Sequence, residues 1–255
     1  MLGKLIITVN NLYKSYENVS VLENINFKIY DGEIVCIAGG SGCGKSTLLR
    51  QIIGLEEPNQ GEIIIEDEYL FPNSERNKSK IRQKFGVMFQ LGGLIASMTL
   101  SENIELPLKS FTKLSSNQIK EIVKIKLTSV GLDNFEDYYP AELSGGMKKR
   151  AAIARAMALD PEILFLDEPS SGLDPISSTS LDQLIRELNS ALHTTMVIIT
   201  HDLSSIFAIA DRVILLDTSV KGILEIGTPK ELLLSQNILV KNFFNRIRNE
   251  VKDEK

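Results

Sequence analysis

Residues 39–47 read Gly39-Gly40-Ser41-Gly42-Cys43-Gly44-Lys45-Ser46-Thr47. An apolar run, Glu33–Ala38, enters this stretch, and an amphipathic run, Ser46–Ile53, leaves it. The stretch fits the pattern G-x-x-x-x-G-K-[ST], whose glycines let several backbone N–H groups curl around one phosphate chain. The sequence therefore predicts a buried strand, a phosphate-binding loop and a helix in succession, as in α/β folds with a parallel sheet.

This loop carries side chains suited to a nucleoside triphosphate. The ammonium of Lys45 can reach the β- and γ-phosphates, and the hydroxyl of Ser46 can bind Mg²⁺. The helix that begins near Lys45 places the positive end of its dipole on the same phosphates. The two cysteines, Cys36 and Cys43, are expected to pack in the interior, because their spacing fits neither a disulfide framework nor a redox motif.

Two acids end a second apolar stretch, which reads Ile163-Leu164-Phe165-Leu166-Asp167-Glu168-Pro169. Four apolar residues indicate a buried parallel strand, and open α/β sheets bind ligands at the carboxyl ends of such strands. We expect Asp167 to hold Mg²⁺, largely through water, and Glu168 to act as general base toward the attacking water. An acid after a strand can instead cap a helix, but Pro169 and Ser170 predict a turn.

A histidine, His201, follows a third apolar strand, Thr195–Thr200. A lone histidine in that position would usually be structural. Because the phosphate loop and the two acids are predicted at the same edge of the sheet, we expect His201 to contact the γ-phosphate. The other histidine, His193, lies in a polar turn and has no assigned part.

A second anion site is predicted at Leu143-Ser144-Gly145-Gly146-Met147, which Lys148-Lys149-Arg150 follows. Ser144 and the two glycines open a helix with bare N–H groups. One ATP does not need two such sites in one subunit, whereas two copies arranged head to tail would each set Ser144 against the other copy's phosphate loop. A plain N-capped helix is the alternative. The Lys-Lys-Arg run is interpreted as a solvated helix face rather than a nucleic-acid patch.

Strands and helices alternate around a helical insertion. Apolar residues recur at helical spacing in Asn117–Val130 and Thr179–Leu192. Short strands are predicted at Leu5–Val9, Val21–Ile29, Ile34–Ala38, Glu62–Glu66, Ile163–Leu166, Met196–Thr200, Val213–Leu216 and Gly222–Ile226. A polar stretch, Asn73–Lys84, is expected at the surface. We predict three parts: a catalytic core of residues 1–92 and 158–237, a helical subdomain of residues 93–157 that carries Ser144, and a tail helix of residues 238–255.

The composition, with 43% hydrophobic and 24% charged residues, is that of an ordinary globular protein. A net charge of −5 gives no overall attraction to nucleic acid, so we expect no nucleic-acid partner. The sequence has no apolar stretch approaching the roughly 18–20 residues that span a bilayer. Met1–Asn11 is too short and mixed for a signal peptide. With two cysteines at an unremarkable spacing, the expected compartment is a reducing cytosol, and any membrane role would be exerted from the cytoplasmic side through a partner.

Four motifs follow one another along the chain: Gly39–Thr47, Leu143–Met147, Ile163–Pro169 and Thr200–Asp202. In this order and spacing they resemble the Walker A, signature, Walker B and switch-histidine motifs of ABC (ATP-binding cassette) ATPases. The resemblance covers about residues 4–235. It implies an α/β P-loop NTPase (RecA-like) fold, with a parallel sheet core, an N-terminal antiparallel β subdomain and a helical insertion subdomain. It also implies that Gln90 binds Mg²⁺, that Tyr16 stacks on adenine and that Ser171–Asp174 is the D-loop.

The resulting set of expected site residues has three parts. The catalytic residues are Lys45, Glu168 and His201. The metal ligands are Ser46, Gln90 and Asp167. The ATP-binding residues are Tyr16, Gly39, Gly40, Ser41, Gly42, Cys43, Gly44, Lys45, Ser46, Thr47, Gln90, Ser144, Gly145 and Gly146.

One departure narrows the resemblance. Most ABC ATPases have Gln at the fifth signature position, where this chain has Met147. The string Leu-Ser-Gly-Gly-Met, together with Val87–Gln90 and Glu102–Leu108, resembles the MlaF-type subunits of Mla/Mce phospholipid transporters. That resemblance implies ATP and Mg²⁺ as cofactors and a homodimer on the cytoplasmic side of the inner membrane. It implies further partners as well: integral-membrane permease subunits, an MCE-type lipid-binding protein and a small regulatory subunit.

Other functions within and outside transport remain open. The chain could serve another ABC importer, for an amino acid or an ion, or it could be a soluble ABC ATPase such as an iron–sulfur assembly factor. A genome-maintenance ABC protein would carry a long coiled coil between the phosphate loop and the signature, and a translation-type protein usually carries two cassettes. This chain has neither feature.

Two segments are expected to serve as contacts. Leu91–Leu108 is rich in apolar residues, which either build the helical subdomain's core or line a groove for a permease helix. In the tail, Val240, Phe244, Ile247 and Val251 share one helical face. That face could pack on the chain itself, on a membrane surface or on a partner. The MlaF-type resemblance favours a clamp on the sister subunit, anchored by Phe243 and Phe244.

Overall fold

A computed structural model describes residues 3–71 and 80–244. The chain falls into two compact units, Met1–Arg82 with Val197–Lys255, and Gln83–Met196. The strands are β1 (Leu5–Tyr16), β2 (Val19–Tyr30), β3 (Ile34–Gly39), β4 (Gln60–Ile65), β5 (Glu68–Tyr69), β6 (Phe85–Met88), β7 (Ile163–Asp167), β8 (Thr195–Ile199), β9 (Arg212–Asp217) and β10 (Gly222–Gly227). The helices are α1 (Lys45–Ile52), α2 (Leu100–Phe111), α3 (Ser116–Ser129), α4 (Gly145–Ala156), α5 (Pro175–Leu192), α6 (Leu203–Ile209) and α7 (Pro229–Leu233), with a 3₁₀ turn at Pro140–Glu142.

An antiparallel sheet forms the N-terminal part of the first unit. Its strands lie in the order β2-β1-β4-β5, and β1 pairs antiparallel with both β2 and β4. Along β2, buried Ile25, Phe27 and Ile29 alternate with exposed Asn26 and Lys28, which is the pattern of a sheet with one face on the core. The predicted antiparallel β subdomain is confirmed.

The strand that leads into the phosphate loop is buried along its whole length. All six residues of β3 are buried, as expected for a parallel strand covered on both faces. β3 pairs in parallel with β9, and β9 pairs antiparallel with β10. In the second unit, β6 pairs in parallel with β7. Each unit therefore contains a pair of parallel strands, so the predicted α/β fold with parallel strands is confirmed.

Arg212 connects β9 to the antiparallel sheet of the same unit. Its guanidinium donates to both carboxylate oxygens of Glu33, at 2.8 and 2.9 Å, and to the carbonyl oxygen of Lys28 at 2.6 Å. This two-pronged geometry is the strong form of an arginine–carboxylate pair. The neighbouring Asp211 carboxylate accepts from the backbone N–H of Ile34 at 2.8 Å. The first residue of β3 is therefore held by polar contacts from the start of β9.

Three helices of the second unit build the predicted helical region. α2 and α3 each begin with a capping box, at Thr99 and Ser115 respectively, and α4 begins at Ser144. The apolar face predicted for α3 is buried, as Ile119, Val123, Leu127 and Val130 are each at most 4% exposed. The face predicted for α5 is also buried and consists of Leu181, Leu184, Ile185 and Leu188.

The short strand β6 was not among the predicted strands. Its second residue, Gly86, is a residue type that disfavours strand interiors. A Cβ atom at this position would overlap the carbonyl oxygen of Ala156, at the end of α4. Glycine is therefore needed because another part of the backbone approaches closely, and that requirement is visible only in the tertiary structure. Sequence reasoning also missed β5, α6 and α7.

The C-terminal segment packs on its own unit as far as the structure describes it. Residues 238–244 are helical, and Val240 and Phe244 are buried. The Phe244 ring lies 5.9 Å from the ring of Phe207 in α6 and 5.3 Å from that of Phe243, edge-on in both cases. The self-packing alternative thus accounts for these two stripe residues. Ile247 and Val251 lie outside the described residues, as does most of the polar stretch Asn73–Lys84.

Gln51 is an unusual residue of α1. Its side chain is fully buried, and neither polar atom of the amide has a hydrogen-bond partner within residues 3–71 and 80–244. An unpaired buried polar group costs about 1–3 kcal/mol of stability. Gln51 therefore opposes folding, whereas the apolar residues around it in α1, Leu48, Leu49 and Ile52, favour it.

We predict that Gln51→Met raises the free energy of unfolding by about 1–2 kcal/mol, because methionine fills a similar volume without a polar group. Urea or thermal unfolding of the full chain measures the change. Gln60→Met, at an exposed position of β4, is the matched control and should stay within about 0.5 kcal/mol of the unsubstituted protein. A loss of stability in Gln51→Met would contradict the prediction.

Candidate active site

The phosphate loop of the first unit connects β3 to α1 and is held by its own lysine. The ammonium of Lys45 donates to the carbonyl oxygens of Gly39 and Gly40, at 2.9 and 3.0 Å. The predicted strand, loop and helix are therefore confirmed as a local structure. Cys36 and Cys43 are both buried, as expected. Burial raises the pKa of the Cys43 thiol, against the opposing charge of Lys45, so this thiol is kept in its unreactive form.

The N-terminus of α1 differs from those of the longer helices. The N-cap residue of α1 is Gly44, which has no side chain to cap the helix, and the first turn has no acidic residue. By contrast, α2, α3, α4 and α5 each begin with a side-chain oxygen that accepts from the first turn. The first N–H groups of a helix need acceptors, and an anion is a suitable one. The start of α1 is thus chemically suited to phosphate, with Ser46 exposed beside it.

Tyr16 ends β1 in the first unit and is held from two sides. Its hydroxyl donates to the Glu56 carboxylate at 2.7 Å, and the residue is 39% exposed. The ammonium of Lys14 lies 5.3 Å from the ring centroid and also pairs with Glu56 at 2.9 Å. The ring is therefore fixed in orientation with part of its surface still accessible, which suits it for stacking.

His201 comes two residues after the end of β8 and is exposed. The residues on either side form a tight connection into α6. The hydroxyl of Thr200 accepts from the backbone N–H of Asp202 at 3.0 Å, and the Asp202 carboxylate accepts from the backbone N–H of Ser204 at 2.8 Å. This double cap fixes the backbone that carries His201.

In the second unit, Asp167 ends β7 and Glu168 follows it. Glu168 has a positive φ of 47°, which few residues other than glycine adopt, and it is 9% exposed. Its carbonyl oxygen accepts from the backbone N–H of Ser171 at 3.2 Å, so a turn follows the strand as the sequence predicted. Further on, Asp174 caps α5 by accepting from Ile176 and Ser177.

Lys149 of α4 lies between Gln90 and Glu168. Its ammonium donates to the carbonyl oxygen of Gln90 at 2.7 Å and to that of Glu168 at 3.2 Å. Burial lowers the pKa of Lys149, and the nearby carboxylates of Glu168 and Asp167 oppose that shift. The second unit therefore brings Gln90 and Glu168, two of the predicted site residues, to one cation.

The interpretation of the Lys-Lys-Arg run as a solvated face is wrong. Only Lys148 is exposed, and Lys149 is half-buried as described. Arg150 donates to the carbonyl oxygen of Val130, at the end of α3, at 2.8 Å and to the Ser180 hydroxyl of α5 at 2.8 Å. The run was misread because the partners of both cations lie far away in the sequence.

The signature turn begins α4. The Ser144 hydroxyl accepts from the backbone N–H of Met147 at 3.3 Å, so the residue does cap its own helix, and Ser144 and Gly145 are both exposed. The capping role and a role in anion binding are compatible, because a helix has several unpaired N–H groups in its first turn. Met147 is half-buried.

Sequence reasoning also missed Asn103 of α2. This buried amide accepts from the backbone N–H of Ile95 at 2.7 Å and donates to three carbonyl oxygens, those of Ile95, Met98 and Thr99. All its polar groups are paired, so it fixes the shape of residues 95–99. The apolar segment Leu91–Leu108 is divided accordingly: Leu100, Ile104 and Leu108 are core, Leu94, Ile95 and Met98 are half-buried, and Leu91 is 97% exposed.

The predicted metal ligands are of the types that suit Mg²⁺ bound together with a nucleotide. The described part of the chain has no group of three His, Cys, Asp or Glu side chains that could hold a metal by themselves. Ser46, Gln90 and Asp167 offer hydroxyl, amide and carboxylate oxygens, which are the ligand types that Mg²⁺ prefers. Mg²⁺ usually completes its shell with water and substrate phosphates, so this donor set fits it.

Comparison with known proteins identifies the family. Residues 22–171 match the model of the ABC transporter family. The chain belongs to the ABC transporter family. It is an ATP-binding subunit that hydrolyses ATP, as the resemblance of its motifs implied. None of the helices within residues 3–71 and 80–244 is long and apolar enough to cross a membrane.

Three relatives are each 39% identical to the chain. The probable ribonucleotide transport ATP-binding protein mkl of Mycobacterium tuberculosis aligns over 254 residues, 97% of this chain and 70% of that protein. The intermembrane phospholipid transport system ATP-binding protein MlaF of Haemophilus influenzae aligns over 238 residues, 93% and 89% respectively. The methionine import ATP-binding protein MetN 1 of Bacillus cereus aligns over 229 residues, 89% and 65% respectively.

A solved structure confirms the fold. It is a dimeric ATP-binding cassette in a post-hydrolysis state, bound to ADP and phosphate. The TM-score is 0.80 at 32% sequence identity, and the match covers 88% of this chain and 99% of the other.

We predict that alanine substitutions at two adjacent glycines of the loop differ in their effect on stability. A Cβ atom at Gly39 would overlap the Leu216 carbonyl oxygen and lie 2.6 Å from the Cys43 sulfur, at a φ of 151°. Gly39→Ala should therefore lower stability by more than about 1 kcal/mol and weaken ATP binding. At Gly40 a Cβ atom would meet nothing within 4 Å, so Gly40→Ala should fold with stability within about 0.5 kcal/mol of the unsubstituted chain.

Thermal unfolding and titration with a fluorescent ATP analogue measure both variants. Equal effects of the two substitutions would show that the close approach of the Leu216 carbonyl oxygen to Gly39 does not determine the conformation of the loop.

Proposed function

We propose that this chain powers phospholipid transport in the cell envelope, as the ATPase of a transporter whose membrane-spanning subunits are separate polypeptides. The observation that carries the proposal is the relation to the phospholipid-transport protein MlaF, which extends over most of both chains. Met147 after Leu-Ser-Gly-Gly supports it, because this departure from the usual signature is the one on which the sequence resembles the MlaF type.

Import of a small solute is the second candidate. The methionine-import relative is as similar in identity as the phospholipid-transport relative, and the probable ribonucleotide-transport relative aligns over even more of this chain. ABC ATPases with different cargoes can share this level of identity because the cargo meets the membrane subunits, whereas these chains share the chemistry of ATP.

The first unit supplies the groups that hold ATP. Lys45 turns from the carbonyl oxygens of its own loop to the β- and γ-phosphates, and the backbone N–H groups of Gly39–Thr47 surround the same phosphates. Tyr16 stacks on the adenine with its orientation fixed by Glu56. His201, on its capped connection, contacts the γ-phosphate.

The second unit supplies the groups that promote hydrolysis. Glu168 accepts a proton from the attacking water, and its restricted backbone keeps the carboxylate in one place. Of the proposed Mg²⁺ ligands, Gln90 and Asp167 belong to this unit and Ser46 to the first. Bound Mg²⁺ would neutralise charge on the phosphates.

Two copies of the chain complete each site. Ser144, Gly145 and Gly146 of one copy face the nucleotide held on the phosphate loop of the other, in an isologous homodimer. The solved dimeric cassette bound to ADP and phosphate supports this arrangement. ATP would join the two copies, and hydrolysis would release them, which gives the mechanical cycle that a permease can use.

The dimer acts at the cytoplasmic side of the inner membrane, attached through its permease. Exposed Phe89 and Leu91 flank Gln90, so a permease helix that packs on them would also act on a metal ligand. An MCE-type lipid-binding protein and a small regulatory subunit complete the proposed complex. Leu94 and Ile95, which follow shortly in the chain, are half-buried.

Removal of the proposed base gives a direct test of the chemistry. Glu168→Gln should lower the ATPase rate by about 10²–10⁴-fold while ATP binding is retained, because the amide keeps the shape of the side chain but cannot accept the proton. Glu162→Gln, an exposed acid just before the same strand, is the control and should hydrolyse ATP normally. Steady-state ATPase rates and nucleotide-binding measurements test the prediction. Activity of Glu168→Gln above about a tenth of the unsubstituted rate would refute the assignment of Glu168 as the base.

The cargo requires the whole transporter. The tagged chain would be purified from the membranes of its own host with its bound permease and reconstituted in liposomes. We expect ATP-dependent transfer of a fluorescent phospholipid, which the same complex with Glu168→Gln lacks. ATP-dependent uptake of labelled methionine or ribonucleotide without phospholipid transfer would replace the proposal by the second candidate.

A further inference from the structure

Lys149 contacts the backbone of two residues that the proposed mechanism places at the reacting phosphate. It lies on α4, one turn beyond the Ser144 cap, and its ammonium donates to the carbonyl oxygens of Gln90 and Glu168, at 2.7 and 3.2 Å. An ammonium has three donors and no acceptor, so these two bonds use most of its capacity. The side chain is half-buried, whereas the preceding Lys148 is exposed.

The Lys149 ammonium contacts the carbonyl oxygen of Glu168, whose backbone has an unfavourable conformation. Glu168 has a φ of 47°, which a residue with a side chain keeps only when its surroundings hold it. Two donors meet its carbonyl oxygen, the Lys149 ammonium and the backbone N–H of Ser171 at 3.2 Å. Ser171 closes the turn locally, and Lys149 ties that turn to α4. The orientation of the Glu168 carboxylate depends on this backbone.

The contact with Gln90 joins a third segment to the same cation. Gln90 follows β6, and the next turn is closed by the backbone N–H of Gly92, which donates to the carbonyl oxygen of Phe89 at 2.6 Å. The Gln90 carbonyl points to α4, so its backbone is fixed whether or not its side chain binds a metal. Lys149 is thereby bonded to segments 59 and 19 residues away in the chain.

We infer that Lys149 is a positioning residue for hydrolysis, which sets the backbone of Glu168 and Gln90 and links both to the helix that begins at Ser144. The inference rests on the proposed parts of Glu168 as base and Gln90 as metal ligand. Binding of a nucleotide at the N-terminus of α4 would then alter the position of Glu168, the proposed base, through the side chain of Lys149. Lys149 itself contacts backbone carbonyls and takes no proton from the substrate.

Substitution of Lys149 by methionine tests the inference in the full chain. Lys149→Met keeps most of the length and the unbranched apolar stem but has no donor, so kcat for ATP should fall by about tenfold or more while KM changes by less than about twofold. Lys149→Arg restores a charged donor and should recover most of kcat. Lys148→Met is the matched control and should behave as the unsubstituted chain. An unchanged kcat in Lys149→Met would overturn the inference.

Two further measurements separate positioning from folding and from the proposed chemistry. If Lys149→Met lowers the melting temperature, Lys149→Gln replaces it, because its uncharged amide is one atom shorter than the lysine side chain and should keep at most one of the two bonds. A lower kcat at unchanged KM supports the inference, and an unchanged kcat overturns it. In the Glu168→Gln background, Lys149→Met should lower the rate by a smaller factor than in the unsubstituted chain, because one of the two groups it positions is already gone. A multiplicative loss would overturn the inference. An active Glu168→Gln variant would instead refute the proposed base, independently of Lys149.

Discussion

The turn between β3 and α1 has to offer backbone N–H groups to an anion, and the surrounding residues follow from this constraint. α1 is the helix of eight or more residues, within the described ranges, that begins without a side-chain cap, whereas α2, α3, α4 and α5 each have one. A cap at that position would occupy the donors that bind phosphate. Gly39 lets the chain pass against the Leu216 carbonyl, so β9 also shapes the loop.

Each unit uses one lysine to hold two backbone carbonyls near a proposed reacting group. Lys45 holds Gly39 and Gly40 in the first unit, and Lys149 holds Gln90 and Glu168 in the second. A charged donor forms a stronger bond than a neutral one and is partly shielded from water in both places. Rigid support of this kind matters for catalysis, because small displacements of a catalytic group cost much of the rate.

Two buried side-chain amides, those of Asn103 and Gln51, differ in their hydrogen bonding. Asn103 has every polar group paired and determines the shape of residues 95–99. Gln51, equally buried, has no partner within the described residues. The hydrogen bonds of Asn103 offset the free-energy cost of burying its amide and fix the loop, whereas the unpaired amide of Gln51 only lowers stability. Function near the phosphate loop thus does not require that every residue of α1 be optimal for folding.

The sequence by itself determined the features that depend on neighbouring residues. These are the loop Gly39–Thr47, the strand that ends at Asp167, the apolar faces of α3 and α5 and the family, because turn chemistry and periodicity act over a few residues. Only the tertiary structure decided the strand at Gly86, the packing of Phe244 on Phe207 and the environment of Lys149. From its sequence neighbours alone, a lysine on a solvated helix face cannot be distinguished from one that makes buried contacts. The carbonyl oxygens that bind Lys149 belong to residues 59 and 19 positions away in the chain.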